Sequence, residues 1–249
     1  MPTRLKAELM RVDGRHAESQ VTGAIEIGVW SWLLVADAGV QNELEKPLNA
    51  QEIHRADRFL SGGQRARFVI ARGMMRRILG HLASCGPDEI AFEYGPAGKP
   101  FVSGGPRFNL SHSGDMAMLA VSANREVGVD IERIRNVERD LAARFFSSEE
   151  VRYLDALPAD GWLGGFFRIW TRKEAVVKAL GCGLSVDPRF FSSRPDSGET
   201  VVTGLGPSLG SDTSLRLLEP THPEDYRAAL AVNAGGLTID LVEHRVPTD

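Results

Sequence analysis

Asp130 and Glu132 stand two positions apart in Val-Gly-Val-Asp-Ile-Glu, residues 127–132. In an extended strand, positions i and i+2 share a face, so the two carboxylates project together while Val127, Val129 and Ile131 face the other way. Carboxylates that close repel unless a proton or cation lies between them. A hard divalent ion such as Mg²⁺, partly hydrated and shared with substrate phosphates, suits the pair; a solvated strand face is the alternative. Glu174 and Lys178 stand four apart in a helical run, acid before base. They form either a surface ion pair worth ~0.3–0.5 kcal/mol or a proton-transfer pair. The apolar neighbours Phe166, Phe167, Ile169, Trp170, Val176 and Val177 favour the second reading. A third group is Phe-Asn-Leu-Ser-His-Ser-Gly, 108–114, where Ser111 and His112 offer donors to phosphate oxygens and Gly114 lets the backbone approach a ligand. Ser111 lacks the G-x-S-x-G setting of a nucleophilic serine. Lys99, in the glycine and proline loop 95–100, adds a positive charge, and neither a Walker A sequence nor a dinucleotide fingerprint is present.

These side chains need a scaffold, and hydrophobic periodicity outlines one. Ile25, Ile27 and Val29 alternate as in a half-buried strand, residues 50–60 read as a short helix, and Phe68, Ala71, Met75 and Ile78 form one stripe of a long helix. Ser61-Gly-Gly-Gln64 has the spacing of a capping box at its start. A short strand is expected at 90–94. The runs 116–121 and 127–131 read as antiparallel strands joined by a tight turn at 122–126. Short helices at 140–146 and 148–154 precede a long one at about 166–180, stopped by Gly181 and Gly183. Strands are expected at 215–219, 226–232 and 238–242, with a glycine and serine loop at 192–214. Both halves read as one long helix with several antiparallel strands, though no exact repeat is found. Arg65, Arg67, Arg72, Arg76 and Arg77 cluster within thirteen residues, as a local anion site or a solvated helix face.

With 249 residues, 43% of them hydrophobic and 25% charged, the chain has the composition of a globular protein of one or two domains. Its length supports a core without disulfides or structural metal. Cys85 and Cys182 show no zinc-site spacing and are expected to be reduced thiols in a cytoplasmic protein. No stretch approaches the ~18 apolar residues of a membrane span. The net charge of -4 provides no global field for nucleic acid.

Taken in order, Gly98–Pro100, 108–114, 127–132, Arg-Phe-Phe-Ser-Ser-Glu-Glu at 144–150, W-x-x-KEA-x-x-KA-x-G-x-GL from Trp170 and Tyr-Arg-Ala-Ala-Leu-Ala-Val at 226–232 resemble the surfactin-type 4'-phosphopantetheinyl transferases. The resemblance runs from about residue 24 to 242, and its most specific parts are the Asp130 and Trp170 motifs. It implies an α+β pseudo-dimer of two similar halves, each a long helix on a small antiparallel sheet, with a coenzyme A cleft between them. Residues 1–22, polar and without periodicity, are expected to be a mobile extension, with 23–123 the N-terminal half and 124–249 the C-terminal half. The implied reaction moves the phosphopantetheine arm of coenzyme A to a serine of an acyl or peptidyl carrier protein, releasing adenosine 3',5'-bisphosphate. Asp130, Glu132 and Glu174 match the ligands of Mg²⁺, with Mn²⁺ as a substitute. Glu174 and Lys178 match the catalytic pair. Arg55, Arg67, Lys99, Pro100, Asn109, Ser111, His112, Asp130 and Lys178 match coenzyme A contacts. The family's second upstream basic position is Glu52 here. The resemblance also implies a monomer and a transient, acidic carrier, for which residues 144–154 are a candidate surface, in fatty-acid, polyketide or nonribosomal peptide synthesis. A metal-dependent hydrolase of nucleotide or coenzyme A pyrophosphates and a non-catalytic binding module are the alternatives.

Overall fold

The computed structural model describes residues 24–183, 187–193, 200–202 and 215–248. The expected extension at 1–22 and most of the loop at 192–214 lie outside them. In chain order come β1 (Ala24–Leu33), α1 (Ala38–Glu45), α2 (Ala50–Asp57), the long α3 (Gly62–Leu82), β2 (Glu93–Tyr94), β3 (Pro100–Phe101), β4 (Arg107–Ser113) and β5 (Met116–Ser122). They are followed by β6 (Val127–Arg133), α4 (Asp140–Phe145), α5 (Ser148–Asp155), the long α6 (Trp162–Leu180), β7 (Thr200–Val202), β8 (Leu215–Leu218), β9 (Tyr226–Asn233) and β10 (Thr238–Val246). The class is α+β.

Two four-stranded sheets, ordered β10-β1-β5-β4 and β6-β9-β8-β7, form the centre. Alternation along the strands explains the layers. Ile25, Ile27, Val29, Met116, Met118 and Ala120 of the first sheet meet Val127, Val129, Ile131, Leu230 and Val232 of the second in one buried cluster. The opposite face of the first sheet, with Trp30, Trp32, Leu119 and Phe108, is covered by Ile70, Met74, Met75 and Ile78 of α3. On the second sheet, Ala229 and Ala231 lie under Ala175, Val176 and Ala179 of α6. The central strands are therefore buried on both sides, unlike the half-buried strand expected of β1. Among the described residues no helix is long and apolar enough to cross a membrane.

Further expectations are corrected, among them the loop at 192–214, in which residues 200–202 form β7. β5 and β6 do not form a hairpin, because β5 already has β1 and β4 on its two edges; β6 instead pairs antiparallel with β9. The turn at 122–126 thus carries the chain from one sheet to the other. The first sheet is mixed, since β10 returns to lie parallel to β1 from Ala24↔Thr238 to Trp32↔Val246. Ser61 caps α3 without a side-chain bond. Complete capping boxes occur instead at Asn49 with Glu52 and at Ser147 with Glu150, before α2 and α5.

Candidate active site

α6 presses onto β6 at Gly128. A Cβ built on this glycine would lie 2.1 Å from the Ala175 carbonyl oxygen and 2.2 Å from the Ala179 nitrogen, so only glycine admits this approach. The contact brings the helical pair Glu174 and Lys178 beside the strand pair Asp130 and Glu132.

β4 runs alongside β6 in the same direction, joined to it by side chains rather than carbonyls. Asn109 Oδ1 accepts from Val129 N at 2.8 Å, Ser111 Oγ from Ile131 N at 3.4 Å, and Ser113 Oγ from Arg133 N at 3.2 Å. Three alternate residues of β4 thereby satisfy three alternate amides of an otherwise open strand edge. The two hydroxyls also donate onward: Ser111 Oγ to Asp130 Oδ1 at 2.8 Å and Ser113 Oγ to Glu132 Oε2 at 2.6 Å.

Lys178 Nζ bonds Asp130 Oδ1 at 2.5 Å and Ser111 Oγ at 3.0 Å. Asp130 is almost fully buried, and its other oxygen, Oδ2, is buried with no hydrogen-bond partner. Burial raises the Asp130 pKa, opposed by Lys178. Glu174 has no hydrogen bond or ion pair among the described residues, and its pKa is raised by burial and then by the charge of Asp130. Lys178 is therefore paired across to the strand rather than along its helix, and the surface ion-pair reading fails.

An orphaned carboxylate oxygen beside a second and a third carboxylate fits a hard cation, since all the donors are oxygen. Among the described residues no three His, Cys, Asp or Glu side chains are arranged to hold a metal ion by themselves. Mg²⁺ commonly takes one or two carboxylates and completes its shell with water and substrate phosphate.

Cationic groups flank this centre. His112 projects from β4 near Lys178 and Arg55. Crowding by protein lowers its pKa, and those two positive charges lower it further. Arg55, on α2, rests over the ring of Phe68 at 5.4 Å. At the other end of β4, Lys99 and Pro100 line a cavity of about 220 Å³ with Gly95, Phe101, Glu126 and Gly181. Lys99 Nζ reaches Glu126 Oε2 and the Val127 carbonyl, both at 3.0 Å, and burial lowers its pKa.

Each arginine of the cluster has a protein partner. Arg67 is bonded to Asp115 at 2.6 Å, at the turn between β4 and β5. Arg65 pairs with Glu45 and Asp57, and Arg77 donates to the Glu43 carbonyl. Arg72 and Arg76, both buried, hold the two oxygens of Glu52 at 2.6 and 2.7 Å. Glu52 is thus an anchor between α2 and α3, not a vacancy in a cationic clamp. Sequence reasoning missed this network and its counterpart, in which Glu150 accepts from Lys173 at 2.8 Å and from Ser193. The capping-box spacing of both glutamates was the available signal.

A profile of the 4'-phosphopantetheinyl transferase superfamily matches residues 126–231. The 4'-phosphopantetheinyl transferase HetI of Nostoc sp. is 37% identical over 219 residues, covering 85% of this chain and 89% of the relative. A 4'-phosphopantetheinyl transferase of Bacillus subtilis is 31% identical, covering 66% of this chain and 75% of its own. Among solved structures, the holo-[acyl-carrier-protein] synthase of Thermotoga maritima covers 47% of this chain and 66% of its own at 18% identity, with a TM-score of 0.33.

Proposed function

The chain belongs to the 4'-phosphopantetheinyl transferase superfamily and is an enzyme that transfers phosphopantetheine from coenzyme A to a carrier protein; on that premise we propose how its residues divide the work. The observation that carries the proposal is the orphaned, buried Oδ2 of Asp130, with Lys178 at its other oxygen and the charges of Glu132 and Glu174 close enough to act on it. Asp130, Glu132 and Glu174 would hold Mg²⁺, or Mn²⁺ in its place, through their carboxylate oxygens. When bound, the ion offsets the charge of the coenzyme A pyrophosphate.

Glu174 accepts the proton of the carrier serine, directly or through a water, as the serine oxygen attacks phosphorus. Before an ion is bound, burial and the charge of Asp130 raise its pKa, which favours proton acceptance. Lys178 stabilises the departing adenosine 3',5'-bisphosphate, exchanging Asp130 for phosphate oxygen. Coenzyme A lies along the seam of β4 and β6, its adenine end at Lys99 and Pro100 and its phosphates facing Ser111, His112 and Arg55. Asn109 holds the seam itself. For Arg67 to reach a phosphate of coenzyme A it must release Asp115, whereas Arg55 needs no such exchange.

The pseudo-dimer reading is supported by the order of elements. Strand, two short helices, long helix and antiparallel strands occur twice, and β1-β5-β4 matches β6-β9-β8. Glu26-Ile27-Gly28-Val29 recurs as Glu126-Val127-Gly128-Val129 in the matching strand. Each half has a capping-box glutamate paired with its long helix, Glu52 with Arg72 and Glu150 with Lys173. Where β6 carries Asp130 and Glu132, β1 carries the buried Trp30 and Trp32, so the duplication supplies one site and fills the other with core. Two halves in one chain provide both walls of the cleft, which supports a monomer. The free thiols Cys85 and Cys182 accord with a cytoplasmic enzyme.

Intact mass spectrometry of apo acyl and peptidyl carriers incubated with coenzyme A tests the proposal. Phosphopantetheine addition in Mg²⁺ or Mn²⁺, abolished by chelator and restored by metal, is the expected result. Undiminished transfer under excess chelator overturns the metal assignment, and cleavage of coenzyme A without a carrier favours a hydrolase.

A further inference from the structure

We propose that Ser113 is a positioning residue that holds Glu132 ready for the divalent ion, a role that rests on the metal reading above. The Ser113 hydroxyl has one hydrogen and two lone pairs. Accepting from Arg133 N at 3.2 Å fixes the oxygen against β6, and its one proton is given to Glu132 Oε2 at 2.6 Å. Arg135 Nη1 reaches that same oxygen at 2.8 Å. No hydrogen bond among the described residues reaches Oε1.

The same pattern occurs two residues earlier. Ser111 accepts from Ile131 N and donates to Asp130 Oδ1, Lys178 supplies the cation on that oxygen, and Oδ2 is left without a partner. Each strand carboxylate thus has one oxygen tied by a β4 serine and a cationic side chain, and its other oxygen open. The parallel run of β4 and β6, both with a period of two, is what repeats the arrangement. A seam built from carbonyl bonds would leave neither carboxylate held.

Ser113 matters most for Glu132 because the alternatives there are weak. The Glu132 side chain is 20% exposed and longer than that of Asp130, and Arg135 is 58% exposed. An ion pair so open to water restrains little. Without the serine, Glu132 is free to follow Arg135 into solvent. Outer hydrogen bonds to metal ligands commonly tune affinity by ~10–100-fold, the scale expected here.

The test compares Ser113→Ala, Ser113→Thr and Ser113→Val in the full chain. Mn²⁺ is titrated with coenzyme A present, unbound Mn²⁺ is read by electron paramagnetic resonance, and a coenzyme A blank is subtracted. Loss of the hydroxyl in the Ala and Val variants is expected to weaken Mn²⁺ binding ~10-fold or more, with Ser113→Thr close to wild type. The Mg²⁺ concentration for half-maximal transfer rises by the same factor, while turnover at saturating Mg²⁺ is largely kept. Thr and Val have nearly the same shape, so that pair decides the matter even if Ser113→Ala fails to fold. Equal Mn²⁺ affinity in Ser113→Thr and Ser113→Val overturns the role of Ser113. A wild-type protein that binds no Mn²⁺ and transfers under chelator overturns the metal reading, and the positioning role with it.

Discussion

Asp130 is expensive to keep ionised, because burial raises its pKa and one oxygen lacks a partner. A folded-state pKa above the unfolded value means the charged form opposes folding near neutral pH, and stability is gained as pH falls through the raised pKa. Asp130→Asn removes that charge. It is expected to leave the melting temperature unchanged or higher while lowering transfer ~10²-fold or more, as removal of an essential polar group at a reacting centre does. A clear drop in melting temperature with activity retained would show that Asp130 is structural. His112 runs the other way, its pKa lowered by the protein atoms crowded around it and by Lys178 and Arg55, although its surface remains exposed. Its contribution to stability is present above the unfolded histidine pKa and lost as pH falls through the lower folded value. Nuclear magnetic resonance titration should find His112 below the ordinary value of about 6.5, and coenzyme A should raise it by offsetting the two cations. No upward movement on binding would place the phosphates elsewhere.

Helix α6 and strand β6 act as one unit, because Gly128 lets Ala175 and Ala179 sit directly on the strand. Gly128→Ala should push the helix outward, at a cost of ~1–3 kcal/mol for overpacking, and should separate Glu174 and Lys178 from Asp130. Denaturant melts with parallel transfer assays check this: turnover should fall further than the stability loss explains. In the first half, Glu52 is the corresponding point of attachment between short and long helices. Removing it leaves Arg72 and Arg76 without their buried counter-charge, and breaking such a pair typically costs ~3–5 kcal/mol. Glu52→Ala should therefore unfold at much lower denaturant, whereas a cationic clamp with a missing member predicts no loss.

The two halves share the cluster between the sheets, and β10 carries the end of the chain back to the edge of β1. Neither half closes its own core. Deleting 238–249 uncovers nine paired positions along β1, from Ala24 to Trp32, together with part of the apolar face beneath them. The truncated chain is expected to lose cooperative unfolding in both halves, measured by near-ultraviolet circular dichroism and a denaturant melt. Retention of a full melt by fragment 24–123 would contradict this mutual dependence.

Features that depend on neighbours a few positions away could be read from the chain. The shared face of Asp130 and Glu132 follows from the two-residue repeat of a strand, and the stacking of Glu174 and Lys178 from the turn of a helix. The long helices and most strands announced themselves in the same way. What escaped were partners chosen across long separations. β6 looked like the hairpin mate of β5 until both edges of β5 proved occupied. Ser111 reads as a phosphate donor from its type, but its partners Asp130, Lys178 and the Ile131 amide lie on segments its own motif does not reveal. Arg67 looked like an anion ligand and pairs with Asp115, 48 residues away; Glu52 looked like a missing cation and anchors Arg72. Even the four-residue echo of β1 in β6 is too short to count until both strands occupy matching places. Backbone geometry sets periodicity locally, but the choice among competing partners depends on which charges and edges are still open when distant segments meet.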